Sequence, residues 1–166
     1  WTDLLEKAKR LTKTGPDGRV ERYGFYGWAW QNFIYRNGGA LVDDVKNPKH
    51  SLINTQAAVD GLQFYADLIN KHKVMPTPVA LSNLGMGIDE MFAGGRLAMF
   101  LSGIWETPGL RNHNFNWDVA MFPKSTSGIR RFGTGGSGYC ILKSSKYPKE
   151  AWEVIKALTG TYGQSE

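Results

Sequence analysis

The residues best suited to binding chemistry are tryptophans placed where the chain changes direction. Trp28 and Trp30 stand where a strand expected over residues 23–27 passes into the aromatic segment 28–35, and Trp105 follows the turn Ser102-Gly103. Positions just past the carboxyl end of a strand are where open α/β sheets bind ligands. Two indoles at one junction are hard to bury together, so at least one of Trp28 and Trp30 is expected to line a surface recess. An exposed indole face stacks well on the C–H face of a sugar ring. Trp105, taken alone, fits an ordinary core position equally well, since Trp is usually well buried.

Other chemistry is sparse. Residues 133–138, Gly-Thr-Gly-Gly-Ser-Gly, match G-x-G-x-x-G literally. A dinucleotide fingerprint needs those glycines after a strand and opening a helix, whereas here they precede a strand. The same run is one residue short of a nucleophile elbow, because Tyr139 takes the last glycine position and no helix follows. What remains is a loop, either a plain connection or a source of N–H groups and the Ser137 hydroxyl for a polar ligand. His50, His72 and His113 are far apart in polar surroundings and read as surface histidines. The turn 14–21 carries only Asp17 and Glu21, too few carboxylates for a calcium loop. No P-loop, paired carboxylates or metal cluster appears, so the chain reads as a non-enzyme that needs no cofactor and no metal. Cys140, the single cysteine, lies in the apolar run Tyr139-Cys140-Ile141-Leu142 and is expected to be buried and inert.

The elements that must position the tryptophans follow from periodicity. Ile88, Met91 and Phe92 share a helical face, Gly94 and Gly95 close that helix, and Leu97 to Leu101 reads as a strand buried on both faces. Ser102-Gly103 then turns into a helix over 104–112. Leu4, Leu5, Ala8 and Leu11 mark a first helix over 2–13, and Ala58, Leu62, Tyr65 and Ile69 a long one from Asn54 or Thr55 to about Lys71. Residues 40–42, 117–121 and 139–142 read as short strands, and 73–87 as a long irregular connection. Pro148 opens a last helix to Thr159 with Ala151, Trp152, Ile155 and Leu158 facing inward. Helix and strand alternate without repeats, so the fold class is α/β, with helices packed on a small mixed sheet.

Composition sets the frame. The 166 residues are 42% hydrophobic and 21% charged, within the range of globular domains, and no apolar run approaches a membrane span. The +5 charge is spread over helix faces with acids interleaved, which is not a phosphate-tracking stripe, so nucleic acid is not an expected partner. Residue 1 is Trp, with no initiator Met or signal peptide, and the cap of the first helix would precede it. The chain is therefore expected to begin inside a longer protein.

Several motifs then fall in one order. They are residues 1–12 (Trp-Thr-Asp-Leu-Leu-Glu-Lys-Ala-Lys-Arg-Leu-Thr), Tyr23-Gly24-Phe25, Asn37-Gly38-Gly39, Leu68-Ile69-Asn70-Lys71 with Pro76 beyond, and Met91-Phe92-Ala93-Gly94-Gly95-Arg96-Leu97-Ala98-Met99. After these come Ser102-Gly103-Ile104-Trp105, Trp117-Asp118-Val119 leading to Phe122-Pro123, the 133–138 run, and residues 144–152 (Ser-Ser-Lys-Tyr-Pro-Lys-Glu-Ala-Trp). Along essentially the whole chain this set resembles the extracellular solute-binding proteins of carbohydrate ABC transporters, the maltose/maltodextrin-binding type.

That resemblance implies one lobe of a two-lobe periplasmic-binding-protein clamshell that holds sugar in the cleft. Residues 1–123 would be a C-terminal-lobe-like α/β domain and 124–138 a hinge or crossing loop. Residues 139–166 would be a return strand and helix that in the family pack on the N-terminal lobe, which this chain lacks. Such a tail could also exchange with a second copy in a dimer. The ligand-binding set carried over is Trp28, Trp30, Gln31, Trp105, Glu106, Gly136 and Ser137: indole platforms for the sugar faces and polar groups for its hydroxyls. Which of Trp28 and Trp30 faces the cleft stays open. The implied partners are a carbohydrate and, for the full-length protein, the permease subunits of the transporter. The implied location is periplasmic or extracellular, with lipid anchoring left open, and one lobe alone is expected to bind poorly. The competing readings are a piece of a carbohydrate-active enzyme, for which the loop pair Asp43/Asp44 is the acidic candidate, and a basic interaction module.

Overall fold

The structure is a computed structural model that describes residues 1–129, 131, 138–161 and 163. It divides into two compact units, Trp1–Gly133 and Thr134–Glu166.

The first unit starts with α1 (Thr2–Leu11), whose Leu4 and Ala8, one turn apart, face the core. Asp3 in its first turn and Lys9 and Arg10 in its last complement the helix dipole. Thr12 ends it: the Thr12 hydroxyl donates to the Ala8 carbonyl and accepts the Gly24 N–H, tying the helix end to the chain that enters the sheet. Two short antiparallel strands, β1 (Lys13–Thr14) and β2 (Val20–Arg22), flank the turn between them. Next come β3 (Tyr26–Gly27), α2 (Gln31–Arg36) and the long α3 (Gln56–Asn70). The two helices pack closely because Gly61 of α3 lies against α2; an added Cβ there would sit 2.6 Å from the Phe33 carbonyl oxygen. Beyond α3 lie α4 (Pro78–Leu84), α5 (Ile88–Ala93), β4 (Phe100–Leu101), a 3₁₀ turn (Ile104–Glu106) and α6 (Thr107–Arg111).

β3 and β4 are parallel, with Tyr26 opposite Phe100 and Gly27 opposite Leu101. The pairing starts earlier as an isolated bridge between Tyr23 and Leu97, and the Tyr26 N–H donates to the Met99 carbonyl at 2.9 Å. Below it sits an aromatic core in which Trp1 stacks on Phe64 (4.4 Å, 15°) and Phe33 meets Trp1, Phe64, Tyr65 and Phe122. The Arg36 guanidinium, itself buried, lies 3.9 Å from the centre of the Phe122 ring, and burial pulls its pKa down to about 10.

Several sequence expectations need correction. Residues 73–87 are not wholly irregular: Pro78 opens α4, and the Thr77 hydroxyl caps it by accepting the Ala80 N–H. Of the run 97–101 only Phe100–Leu101 is strand, and both residues are half-buried. Residues 40–42 contribute a single bridge, Val42 to Ser51. The segment 117–121 is irregular, with Val119 78% and Met121 69% exposed. Residues 139–142 are likewise not strand, and Cys140 is exposed. An apolar run becomes a strand only when a neighbouring backbone completes its hydrogen bonds, and these two runs belong to neither sheet.

The second unit holds α7 (Pro148–Thr159), where the sequence places it, with proline in its first turn. Its inward residues are not inward in this chain. No residue of α7 is buried, and Trp152 is 53% exposed.

Candidate ligand-binding site

Because β3 and β4 run parallel and in register at Gly27 and Leu101, the chain leaves both strands at the same edge. Trp28 emerges from one and Ser102 from the other. Beyond Ser102 the 3₁₀ turn brings Trp105 back toward Trp28, and the two indoles meet edge to face, 5.9 Å between centres at 80°. Trp28 is 44% and Trp105 62% exposed. Beside this pair lies a recess of about 230 Å³ that both indoles line, together with Tyr26, Phe100 and Leu101 of the strands. Ile88, Ser102 and Glu106 complete it.

Two backbone features aim the rings. Ala29 adopts φ = 57°, a left-handed conformation costly for a residue with a Cβ. It sits between Trp28, which faces the recess, and Trp30, which is half-buried at the N-cap position of α2 and does not line it. The kink thus decides which indole is presented. At the other side, Gly103 lies flat under the Trp105 ring; a Cβ there would overlap Cζ3 and Cη2 of the indole. Phe100 is backed by Phe92 (5.0 Å), which in turn meets Phe115 (5.3 Å), so the apolar lining has aromatic support behind it.

Polar groups at the recess are few. The Ser102 hydroxyl donates to Glu106 Oε1 at 2.7 Å, which orients the carboxylate. Tyr26 also packs against the aromatic core, and burial pushes its hydroxyl above its ordinary pKa. Flat ring faces with hydrogen-bonding groups at their edge can grip a ligand that has C–H faces and hydroxyls.

Of the sequence-derived set, the structure brings Trp28, Trp105 and Glu106 together. Trp30 and Gln31 lie outside the recess lining, and the Gln31 side-chain oxygen is buried without a hydrogen-bond partner. Gly136 and Ser137 lie outside the described residues. Tyr26, Ile88, Phe100, Leu101 and Ser102 line the recess without having been read as site residues. For the strand residues the signal would have been the register of β3 on β4, which composition does not carry.

Elsewhere, a second recess of about 270 Å³ includes Tyr23, Asn70 and Lys73, with a single ring and no stacking pair. The acidic pair of the enzyme reading has other work. Asp43 accepts the Lys49, His50 and Asp44 N–H groups and pairs with the His50 ring at 2.9 Å. The Lys49 amide and the His50 ring and amide hold its carboxyl well below the usual carboxylate range. Asp44 accepts the Lys46 N–H at 2.8 Å, so both carboxylates organise their own loop. Among the described residues no three His, Cys, Asp or Glu side chains group to hold a metal, and no helix is long and apolar enough to cross a membrane.

These features accompany a clear family membership. The chain matches the model of the bacterial extracellular solute-binding protein family over residues 1–165, and it belongs to that family. Among solved structures it is similar to the maltose/maltodextrin-binding domain MalE of Bdellovibrio bacteriovorus bound to maltotriose, with TM-score 0.74 and 22% identity over 99% of this chain and 44% of that one. An ABC substrate-binding protein of Listeria monocytogenes in complex with cycloalternan matches at TM-score 0.73 and 21% identity, covering 97% of this chain and 40% of that one. UspC of M. tuberculosis matches at TM-score 0.63 and 24% identity, covering 98% and 43%. The fold is therefore the periplasmic-binding-protein type, and the chain spans about two-fifths of the length of these structures.

Proposed function

We propose that this chain is part of the substrate-binding component of an ABC importer, and that the recess lined by Trp28 and Trp105 stacks one glycosyl unit of a sugar or oligosaccharide. The observation that carries the reading is the pair of exposed indoles, set edge to face at the exits of two parallel strands with a hydrogen-bonded carboxylate beside them. The maltotriose and cycloalternan complexes of the two similar proteins support a carbohydrate as the ligand class.

In this reading residues 1–123 form one jaw of a clamshell and 124–138 a hinge, and the site is complete only when a second lobe closes on the sugar. Closure follows because only the closed state makes both sets of contacts. The uncovered apolar stripe of α7 supports packing of residues 139–166 against that other lobe. The full-length protein would work in the periplasm or outside the cell, hand its sugar to the permease subunits, and carry out no chemistry on it. The test is titration of the full-length protein with an oligosaccharide panel while tryptophan fluorescence is followed. Saturable quenching or enhancement that disappears in Trp105→Ala is expected. No response to any sugar would overturn the proposal.

A further inference from the structure

The polar lining of the recess has one sign. Among the described residues Glu106 is the only carboxylate that lines it, and no Lys, Arg or His does. Glu106 also takes part in none of the four ion pairs found among the described residues, Lys7–Asp3, Arg19–Asp17, His50–Asp43 and Lys156–Glu153. Its one hydrogen-bond donor is the Ser102 hydroxyl, which occupies Oε1 and leaves Oε2 to a ligand. This carboxylate therefore stands beside an apolar recess with its charge uncompensated by a neighbouring cation.

We propose that Glu106 is a specificity determinant: the glycosyl unit seated in the recess against Trp28 and Trp105 must donate hydroxyl hydrogens to Glu106 and must carry no negative charge. The inference rests on the sugar-binding reading and deepens it by naming the admissible class, neutral sugars, and the excluded one, uronates and other acidic sugars. The physical reason has two parts. A carboxylate only accepts hydrogen bonds, so a sugar hydroxyl satisfies it whereas a second carboxylate cannot. Like charges brought together against the apolar walls of Trp28, Trp105, Phe100 and Leu101 repel, and more strongly once the bound sugar and a closing second lobe displace water. Discrimination by such an unfavourable pairing is how a site rejects a near-isostere of its ligand. The same arrangement disfavours anions regardless of the stereochemistry of the ring, so it filters by class rather than by epimer.

The experiment uses the full-length protein and four neutral trisaccharides, maltotriose, cellotriose, mannotriose and galactotriose. Each is titrated beside its counterpart oxidised to a carboxylate at C6 of the non-reducing residue, for the wild type and for Glu106→Gln. Glutamine keeps the size and one acceptor oxygen while removing the charge. The expected result is that the wild type binds at least one neutral sugar at least tenfold more tightly than its acidic counterpart. In E106Q that ratio should shrink severalfold, with the neutral sugar weakened and the acidic one strengthened. Raising the salt concentration should narrow the wild-type ratio and leave that of E106Q alone. Binding of neutral and acidic sugars with equal affinity, or an unchanged ratio in E106Q, overturns the role of Glu106 while leaving sugar binding standing. Failure of the wild type to bind any of the eight overturns both.

Discussion

The protein builds two aromatic clusters from the same kinds of ring and finishes them differently. Around Phe33, Trp1 and Phe122 are buried and Phe64 and Tyr65 partly so, with α1, α2 and α3 contributing to the cluster. Around the recess, Trp28 and Trp105 meet each other and leave much of their surface to solvent. The first cluster has helices to cover it; the second lies where two strands end, and none of the described elements closes the gap. Ring type therefore does not separate a core from a binding surface. What separates them is whether the chain supplies a lid.

The comparison fails or sharpens under substitution. The largest effect is expected at Phe33, which is wholly buried. Phe33→Ala should cost about 3–5 kcal/mol of unfolding free energy in a denaturant melt, through lost burial plus a cavity. A cost below about 1 kcal/mol would mean that the cluster is not the core.

Trp105→Ala should invert that profile. Unfolding free energy should stay within about 0.5 kcal/mol of wild type, because the ring is exposed. Sugar affinity of the full-length protein should drop at least tenfold, about 1.4 kcal/mol. A stability loss as large as that of Phe33→Ala would place Trp105 in the core and remove the distinction.

Gly103→Ala comes next. Its new methyl would displace the Trp105 ring without removing it. Near-ultraviolet circular dichroism should record a changed Trp28–Trp105 pairing, with affinity reduced less than by deleting the indole. An unchanged spectrum would show that the close approach of ring and backbone is not needed.

The smallest effect is expected at Ala29. Glycine there removes the left-handed penalty, worth about 1–2 kcal/mol, against the extra freedom it gives the unfolded chain. Ala29→Gly should raise the melting temperature slightly and weaken sugar binding slightly, because Trp28 loses its fixed direction. Lower stability would show that the strain is relieved by some other contact.

Legibility in the sequence tracked how local each feature is. α1, α3 and α7 were readable because 3.6-residue periodicity is written into Leu4 and Ala8, into Ala58, Leu62, Tyr65 and Ile69, and into Trp152 and Ile155. The apolar face of α7 was readable too, but not that it stays uncovered, because its covering surface is not encoded in the helix. β3 and β4 are two residues each, and their pairing depends on chain distant in sequence, so composition marked 97–101 as a longer strand and gave 117–121 a strand it does not form. The indoles of the recess were suggested by their places after strands. The choice of Trp28 over Trp30 was not, since it turns on a left-handed alanine, a residue type that gives no warning of that conformation. Trp1 escaped notice as core because residue 1 shows no pattern before it, yet its ring stacks on Phe64.

The register of Gly27 on Leu101 has one further consequence. The two halves of the recess come from distant stretches of the polypeptide, so it cannot be assembled by local folding. Closing so large a loop costs entropy that the long-range pairing must repay. Occupancy of the recess is thus a readout of chain integrity: a protein that has misfolded anywhere between those strands should be blind to its ligand.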